Sequence, residues 1–265
     1  MQPPFFSVFC REIRKSEQLS HMILAIDIGN TNIVMGALDG SNVVLFERAK
    51  TYDGSVNFLV QRIKKYSYDA AILSSVVPSV NEGIIKLVKE TFGIDVIMVN
   101  ADMRLNFTLD IPNKHDLGSD IIVGLAAAID EYGCPVAVID MGTASTIFTV
   151  DKSGRFVGGT INTGIGLELK GLSHSTAQLP KIAFKTPEKV LNTVTDDCMR
   201  AGVLYGHAGM IDGILKHMEA ELGYPITAIA TGGLGRYVAP LCTHEIVYDD
   251  QLLIKGLRLI YELNK

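Results

Sequence analysis

Two stretches of this chain gather a carboxylate, a glycine and small polar side chains at one spacing. The first is Asp27-Ile28-Gly29-Asn30-Thr31-Asn32, and the second is Asp140-Met141-Gly142-Thr143-Ala144-Ser145. In each, an apolar run ends in Asp-x-Gly and a second apolar run follows. Gly29 permits positive φ and close approach to the backbone. The N–H groups of such a turn form an anion-binding concavity, and Asn30 and Thr31 add donors for phosphate oxygens. Asp27 repels phosphate but suits a nucleotide's Mg²⁺, directly or through water. Two such turns facing each other can clamp a triphosphate. A third glycine-rich turn, Ala230-Thr-Gly-Gly-Leu-Gly235, follows an apolar run and suits the adenosine edge of the same site.

The elements that position these turns repeat as well. Each second apolar run ends in a hairpin turn, Asp39-Gly40 or Asp151-Lys-Ser-Gly154, and a third strand follows at Val43 to Phe46 or Arg155 to Val157. The pattern then predicts helices at Val56–Tyr66 and Ser79–Thr91, with strands at Asp69–Ser74 and Asp95–Val99. Asp116 is placed to cap a helix over Leu117–Tyr132, which Gly133 ends. The second half predicts helices at Leu167–Ser175, Thr193–Leu222, Leu234–Tyr237 and Leu252–Leu263, and a strand at Ile226–Thr231. A unit that recurs once, more than 100 residues apart, indicates duplicated half-domains with a cleft between them. The expected division is residues 22–132 and 133–265, preceded by a disordered extension over 1–21 or the product of an early start codon.

Composition narrows the class. The 265 residues carry a net charge of −5 with 48% hydrophobic and 20% charged residues, which is globular composition. No basic stripe suggests nucleic acid, and no apolar run approaches a membrane span. The 4 cysteines, Cys10, Cys134, Cys198 and Cys242, form no C-x-x-C pair. A reduced, cytoplasmic protein is expected. There is no P-loop G-x-x-x-x-G-K-[ST].

The ordered set of motifs resembles the type III pantothenate kinase family, within the sugar-kinase, Hsp70 and actin superfamily. It comprises Asp27-Ile-Gly-Asn-Thr31, Ser74-Ser-Val-Val-Pro78, Gly118-Ser-Asp120, Asp140-Met-Gly-Thr143, Gly158-Gly159, Thr176-Ala-x-Leu-Pro180, Asn192-Thr193, Gly209-x-Ile-Asp-Gly213 and Thr231-Gly-Gly233. The resemblance runs from Met22 to the C-terminus. It implies an α/β fold of duplicated ribonuclease H-like (actin-like ATPase) domains with mixed sheets. It also implies ATP-dependent phosphorylation of pantothenate to 4′-phosphopantothenate, the first step of coenzyme A synthesis, by a homodimer that needs Mg²⁺ and K⁺ or NH₄⁺. Carried over by position, Asp27, Ile28, Gly29, Asn30, Thr31, Asn32, Ile33, Val34 and Thr143 bind ATP. Asp140 binds the monovalent cation. Asp120 accepts the hydroxyl proton, and Gly118, Ser119, Ile121 and Thr193 contact the acceptor with it.

The chain departs from the family pattern on the acceptor side. Ile121 stands where the family has arginine, Gly124 where it has asparagine, and Ile111 where it has tyrosine. Two explanations compete: Lys114, Arg104 or a partner residue replaces the missing guanidinium, or the chain is a divergent relative that phosphorylates another small hydroxyl compound or binds ATP as a non-catalytic regulator. Asp120 falls in a first helical turn, where the helix dipole is expected to depress its pKa. The charges at Asp196-Asp197, Lys64-Lys65, Lys181 and Lys185, and His174, carry no such chemistry.

Overall fold

A computed structural model describes residues 21–52 and 56–265. The expected extension therefore lies, except for His21, outside the described residues. The first half runs β1 (Met22–Ile28), β2 (Asn32–Asp39), β3 (Asn42–Lys50), α1 (Val56–Ile63), β4 (Ala70–Ser75), α2 (Pro78–Phe92), β5 (Val96–Met98) and α3 (Ser119–Tyr132). The second runs β6 (Val136–Met141), β7 (Ala144–Val150), β8 (Phe156–Thr163), α4 (Ile165–Ser175), α5 (Thr195–Leu222), β9 (Thr227–Thr231), α6 (Gly235–Val238), β10 (Ile246–Tyr248) and α7 (Leu252–Asn264).

The sheets have the same topology. One is ordered β3-β2-β1-β4-β5, and the other, read from its β8 edge, is β8-β7-β6-β9-β10. In each, a hairpin meander pairs antiparallel while the later strands join parallel. The central strands are apolar on both faces, as strands covered on both sides must be. Leu24, Ile26 and Ile28 of β1 face the core under α1 and α2, whereas Ile23 and Ala25 face the opposite way. Val136 and Val138 of β6 share that second core, while Ala137 and Ile139 face α4 and α5. The shared middle layer is α3 and α7, packed on each other between the sheets.

Local chemistry explains most boundaries. Pro78 sits in the first turn of α2, where a missing N–H costs nothing, and Gly93 ends it at φ 73°. Two expectations are corrected. Asp116 does not cap the helix: it closes a short 3₁₀ turn, Lys114–Asp116, and Gly118 holds the cap position of α3. Strand β3 does not stop at Phe46 but continues to Lys50. Strand β10, three residues long, is too short to leave a periodic signal.

The contact between α3 and α7 depends on a glycine. A Cβ on Gly256 would run into the Val123 carbonyl oxygen. Gly256→Val is therefore expected to cost about 1–3 kcal/mol, the usual overpacking penalty. Urea unfolding checks this, and an unchanged midpoint would remove this contact as a constraint.

Candidate active site

The matching strand ends bring their carboxylates together. Asp27 is next to last in β1, opposite Val34 and beside Ser74 of β4. Asp140 holds the equivalent place in β6, opposite Thr146 and beside Thr231 of β9. Asp120, in the first turn of α3, completes the group. All three line one chamber, together with Ile28, Gly29, Asn30, Thr31 and Asn32 of the first turn. Gly142, Thr143 and Ala144 of the second turn and Thr231, Gly232 and Gly233 of the third line it too. The turns meet at their tips: Thr31 Oγ1 lies 2.7 Å from Thr143 Oγ1.

Several small residues make this convergence possible. Gly232 has φ 85°, and a Cβ there would lie 2.6 Å from Asp140 Oδ1. Ser119 Oγ lies 3.0 Å from Ser74 Oγ and accepts the Ser75 N–H at 3.0 Å, so the start of α3 is tied to the end of β4. Behind the second turn, buried His207 lies 2.8 Å through Nε2 from Ser145 Oγ and 3.2 Å through Nδ1 from Glu168 Oε1. This braces the β7 backbone between Ala144 and Thr146, which face the chamber. Strand alternation is the one sequence signal that could have separated Ser145 from its neighbours.

Burial raises the carboxylate pKa values first, and mutual repulsion adds to it. Asp27 is pushed from 3.8 up to about 7 by burial and by Asp120 and Asp140, against a hydrogen bond from Ser74 and the charge of Arg48. Asp140 also reaches about 7, through burial and then Asp120, opposed by Arg48. Asp120 corrects the sequence expectation. Its pKa is raised, because burial outweighs backbone N–H bonds such as that from Ile121 at 2.8 Å.

Other expected residues are distributed unevenly. Ile33 turns away from the chamber into the core beneath α1 and α2, as alternation between Asn32 and Val34 requires. Gly29 is not at positive φ; its N–H bonds the Asn32 carbonyl at 2.9 Å, so it closes the turn and does not face an anion. Gly118 and Ser119 support Asp120 from behind. Thr193 is exposed in the segment before α5, outside the chamber lining. Ile121 lines a narrow annex with Val138, Phe148, Leu253 and Thr146, entered past Asp120 and Asp140. Neither candidate cation lines it: Lys114 pairs with Asp102 at 2.7 Å, and Arg104 is not among the annex residues. The sequence reading missed Phe46, Arg48, Asp250, Leu253 and Ile254, all of which line the chamber.

The chamber holds about 180 Å³ and opens into a mouth of about 360 Å³ lined by Thr31, Arg48, Thr143, Lys170 and Gly233 among others. Small-molecule sites span roughly 300–1,000 Å³, so the chamber takes only the reacting ends of its ligands. Among the described residues, no group of three or more His, Cys, Asp and Glu is gathered tightly enough to hold a metal by itself. Mg²⁺ needs no such cage, since it is bound by one or two carboxylates plus substrate phosphates. Asp27 and Asp140 fit that role.

This duplicated α/β architecture is the fold shared by actin-like ATPases and sugar kinases. A 2-dehydro-3-deoxygalactonokinase structure from Sinorhizobium meliloti superposes with TM-score 0.54 at 12% identity, covering 91% of this chain and 96% of that one. A Campylobacter jejuni structure described as a Baf family transcriptional activator gives TM-score 0.58 at 21% identity, covering 90% and 97%. At these identities the likeness is one of fold. In sequence, the family model for type III pantothenate kinase matches residues 23–217. The type III pantothenate kinase of an Exiguobacterium species is 36% identical over 255 residues, covering 92% of this chain and 100% of that protein. The Moorella thermoacetica enzyme of that name is 32% identical, with the same coverage. The chain belongs to the type III pantothenate kinase family.

The raised carboxylates predict a pH dependence. Between pH 3.8 and about 7 the native state keeps protons on Asp27 and Asp140 that the unfolded chain has released. Their contribution to stability is full below that window and is lost as pH rises through about 7. Thermal melting without ligand across this range should fall less steeply in the Asp27→Asn/Asp140→Asn double variant. Equal slopes would contradict the assignment.

Proposed function

We propose that this chain transfers the terminal phosphoryl group of ATP to the primary hydroxyl of pantothenate, giving ADP and 4′-phosphopantothenate at the start of coenzyme A synthesis. The single observation that carries this reading is the convergence of Asp27, Asp120 and Asp140 beneath two facing turns, in a chain of this family.

The roles follow from position. The turn residues Asn30, Thr31 and Thr143 hold the phosphates, with the adenosine edge against Thr231-Gly-Gly233. When bound, Mg²⁺ neutralises charge on the phosphate oxygens. Asp27 and Asp140 are the carboxylates that would hold it, and Asp140 would also face the monovalent cation. Asp120 orients the acceptor hydroxyl and takes its proton. Burial raises its pKa, which makes it a stronger base than an ordinary carboxylate. The hydroxyl of pantothenate is borne next to a dimethyl-substituted carbon, and Ile121, Val138, Phe148 and Leu253 give the chamber an apolar wall beside Asp120 against which that carbon would rest.

The same reading takes the protein as a cytoplasmic homodimer. Val190, Leu191 and Val194, exposed around Thr193, form an apolar surface for a second copy. No helix among the described residues is long and apolar enough to cross a membrane. The half-domains are taken to divide at residues 132/133, with α7 returning to pack on α3.

A coupled ADP-release assay with Mg²⁺ and K⁺ tests the activity. ADP should form only when pantothenate is present. Asp120→Asn should lower kcat by about 10²–10⁴-fold, the usual share of a general base. Turnover on another hydroxyl compound but not on pantothenate would overturn the acceptor assignment.

A further inference from the structure

Arg48 is the cation among the residues lining the carboxylate chamber, and it also lines the mouth. Its place depends on a register shift in the β2–β3 hairpin. Asp39 pairs with Asn42 and Leu38 with Val43, but Ala37 pairs with Leu45. The extra residue, Val44, puts Arg48 opposite Val34, which faces the chamber, and turns Glu47 to the other side. There Glu47 accepts a hydrogen bond from Arg62 at 2.7 Å. Arg48 crosses the cleft: its Nη1 lies 2.8 Å from where a Cβ of Gly233 would sit, and its guanidinium lies 5.9 Å from the Phe46 ring centroid.

Arg62, Arg200 and Arg258 each make an ion pair. Among the described residues the Arg48 side chain makes no ion pair and no hydrogen bond, so its donor fork is open to the cleft. A guanidinium suits planar or tetrahedral oxyanions bidentately. We infer that Arg48 binds the phosphoryl group in transit between nucleotide and acceptor, and is thus a further catalytic residue. The inference rests on the kinase reading above. The alternative anion is the acceptor's carboxylate, but Arg48 is absent from the annex around Ile121 and stands with Thr31, Asn32, Gly142 and Thr143 at the turn tips. In the transfer, the bond from the terminal phosphorus to its bridging oxygen breaks and a bond to the acceptor oxygen forms. The hydroxyl proton passes to Asp120, and ADP leaves with the electron pair. Throughout, the three phosphoryl oxygens must pass close to three carboxylates, and the guanidinium offsets that repulsion.

Titration calorimetry with Mg²⁺ and no acceptor tests this on the full chain. Arg48→Gln should weaken ATP binding by about 10- to 100-fold while ADP stays within about 2-fold, the difference expected of charge-assisted hydrogen bonds to the terminal phosphate. Arg48→Lys, which keeps the charge and loses the fork, should recover part of the loss. Equal effects on ATP and ADP, or none on either, overturn the inference while wild-type binding leaves the kinase reading standing. Wild-type protein that binds no ATP would overturn both. A KM rise for pantothenate that is absent for its uncharged alcohol analogue would assign Arg48 to the carboxylate and overturn it too.

Discussion

Three buried carboxylates in one small chamber cannot all be charged and dry at once. Asp27, Asp120 and Asp140 each lose hydration on burial, and Asp120 repels the other two. The rest of the site is arranged around that cost. Without ligand, protons relieve it. In the proposed complex a divalent cation and the guanidinium would take their place, and cation binding would then displace protons and strengthen as pH rises. The fold tolerates the repulsion because each acid comes from a separate rigid element: β1, β6 and α3.

The middle layer makes this placement rigid. Helices α3 and α7 share one core with both sheets, so Asp120 is fixed relative to Asp27 and Asp140 by apolar packing and not by a loop. The acid at the start of α3 and the tips of the two turns then approach from different sides. The turn tips join through two threonine hydroxyls, a contact far weaker than the shared core. The halves are thus tied least at the mouth, where the proposed nucleotide would enter, and most at the base, where the proposed transfer would take place.

Much of this was legible because the sequence repeats itself. Asp27 and Asp140 occupy equivalent strand ends, and recurrence of the turn distinguished them from ordinary hairpins. Arg48 was not legible for a definite reason. Counting pairs back from the Gly40–Ser41 turn without a bulge places Glu47, not Arg48, opposite Val34. One extra residue inverts every side chain beyond it, and nothing in Asn42–Phe46 announces it. The misjudged pKa of Asp120 has another origin: the helix start was visible, but the burial that outweighs it comes from β-strands distant in sequence. The return of α7 to α3 was hidden similarly, since an amphipathic pattern shows that a face is buried but not against what.

The net charge of −5 is no obstacle to binding a polyanion, because fields in a cleft are set locally. Arg48 and Lys170 line the mouth, while the carboxylates line the floor. In the proposed reading this field would orient a nucleotide with its phosphates toward the basic rim and their cation toward the acids. The annex continues that gradient to its apolar end. Ile121 brings no charge there, and neither Lys114 nor Arg104 supplies one. In the proposed reaction the acceptor would be aligned by its hydroxyl on Asp120, with its branched carbon against this apolar wall.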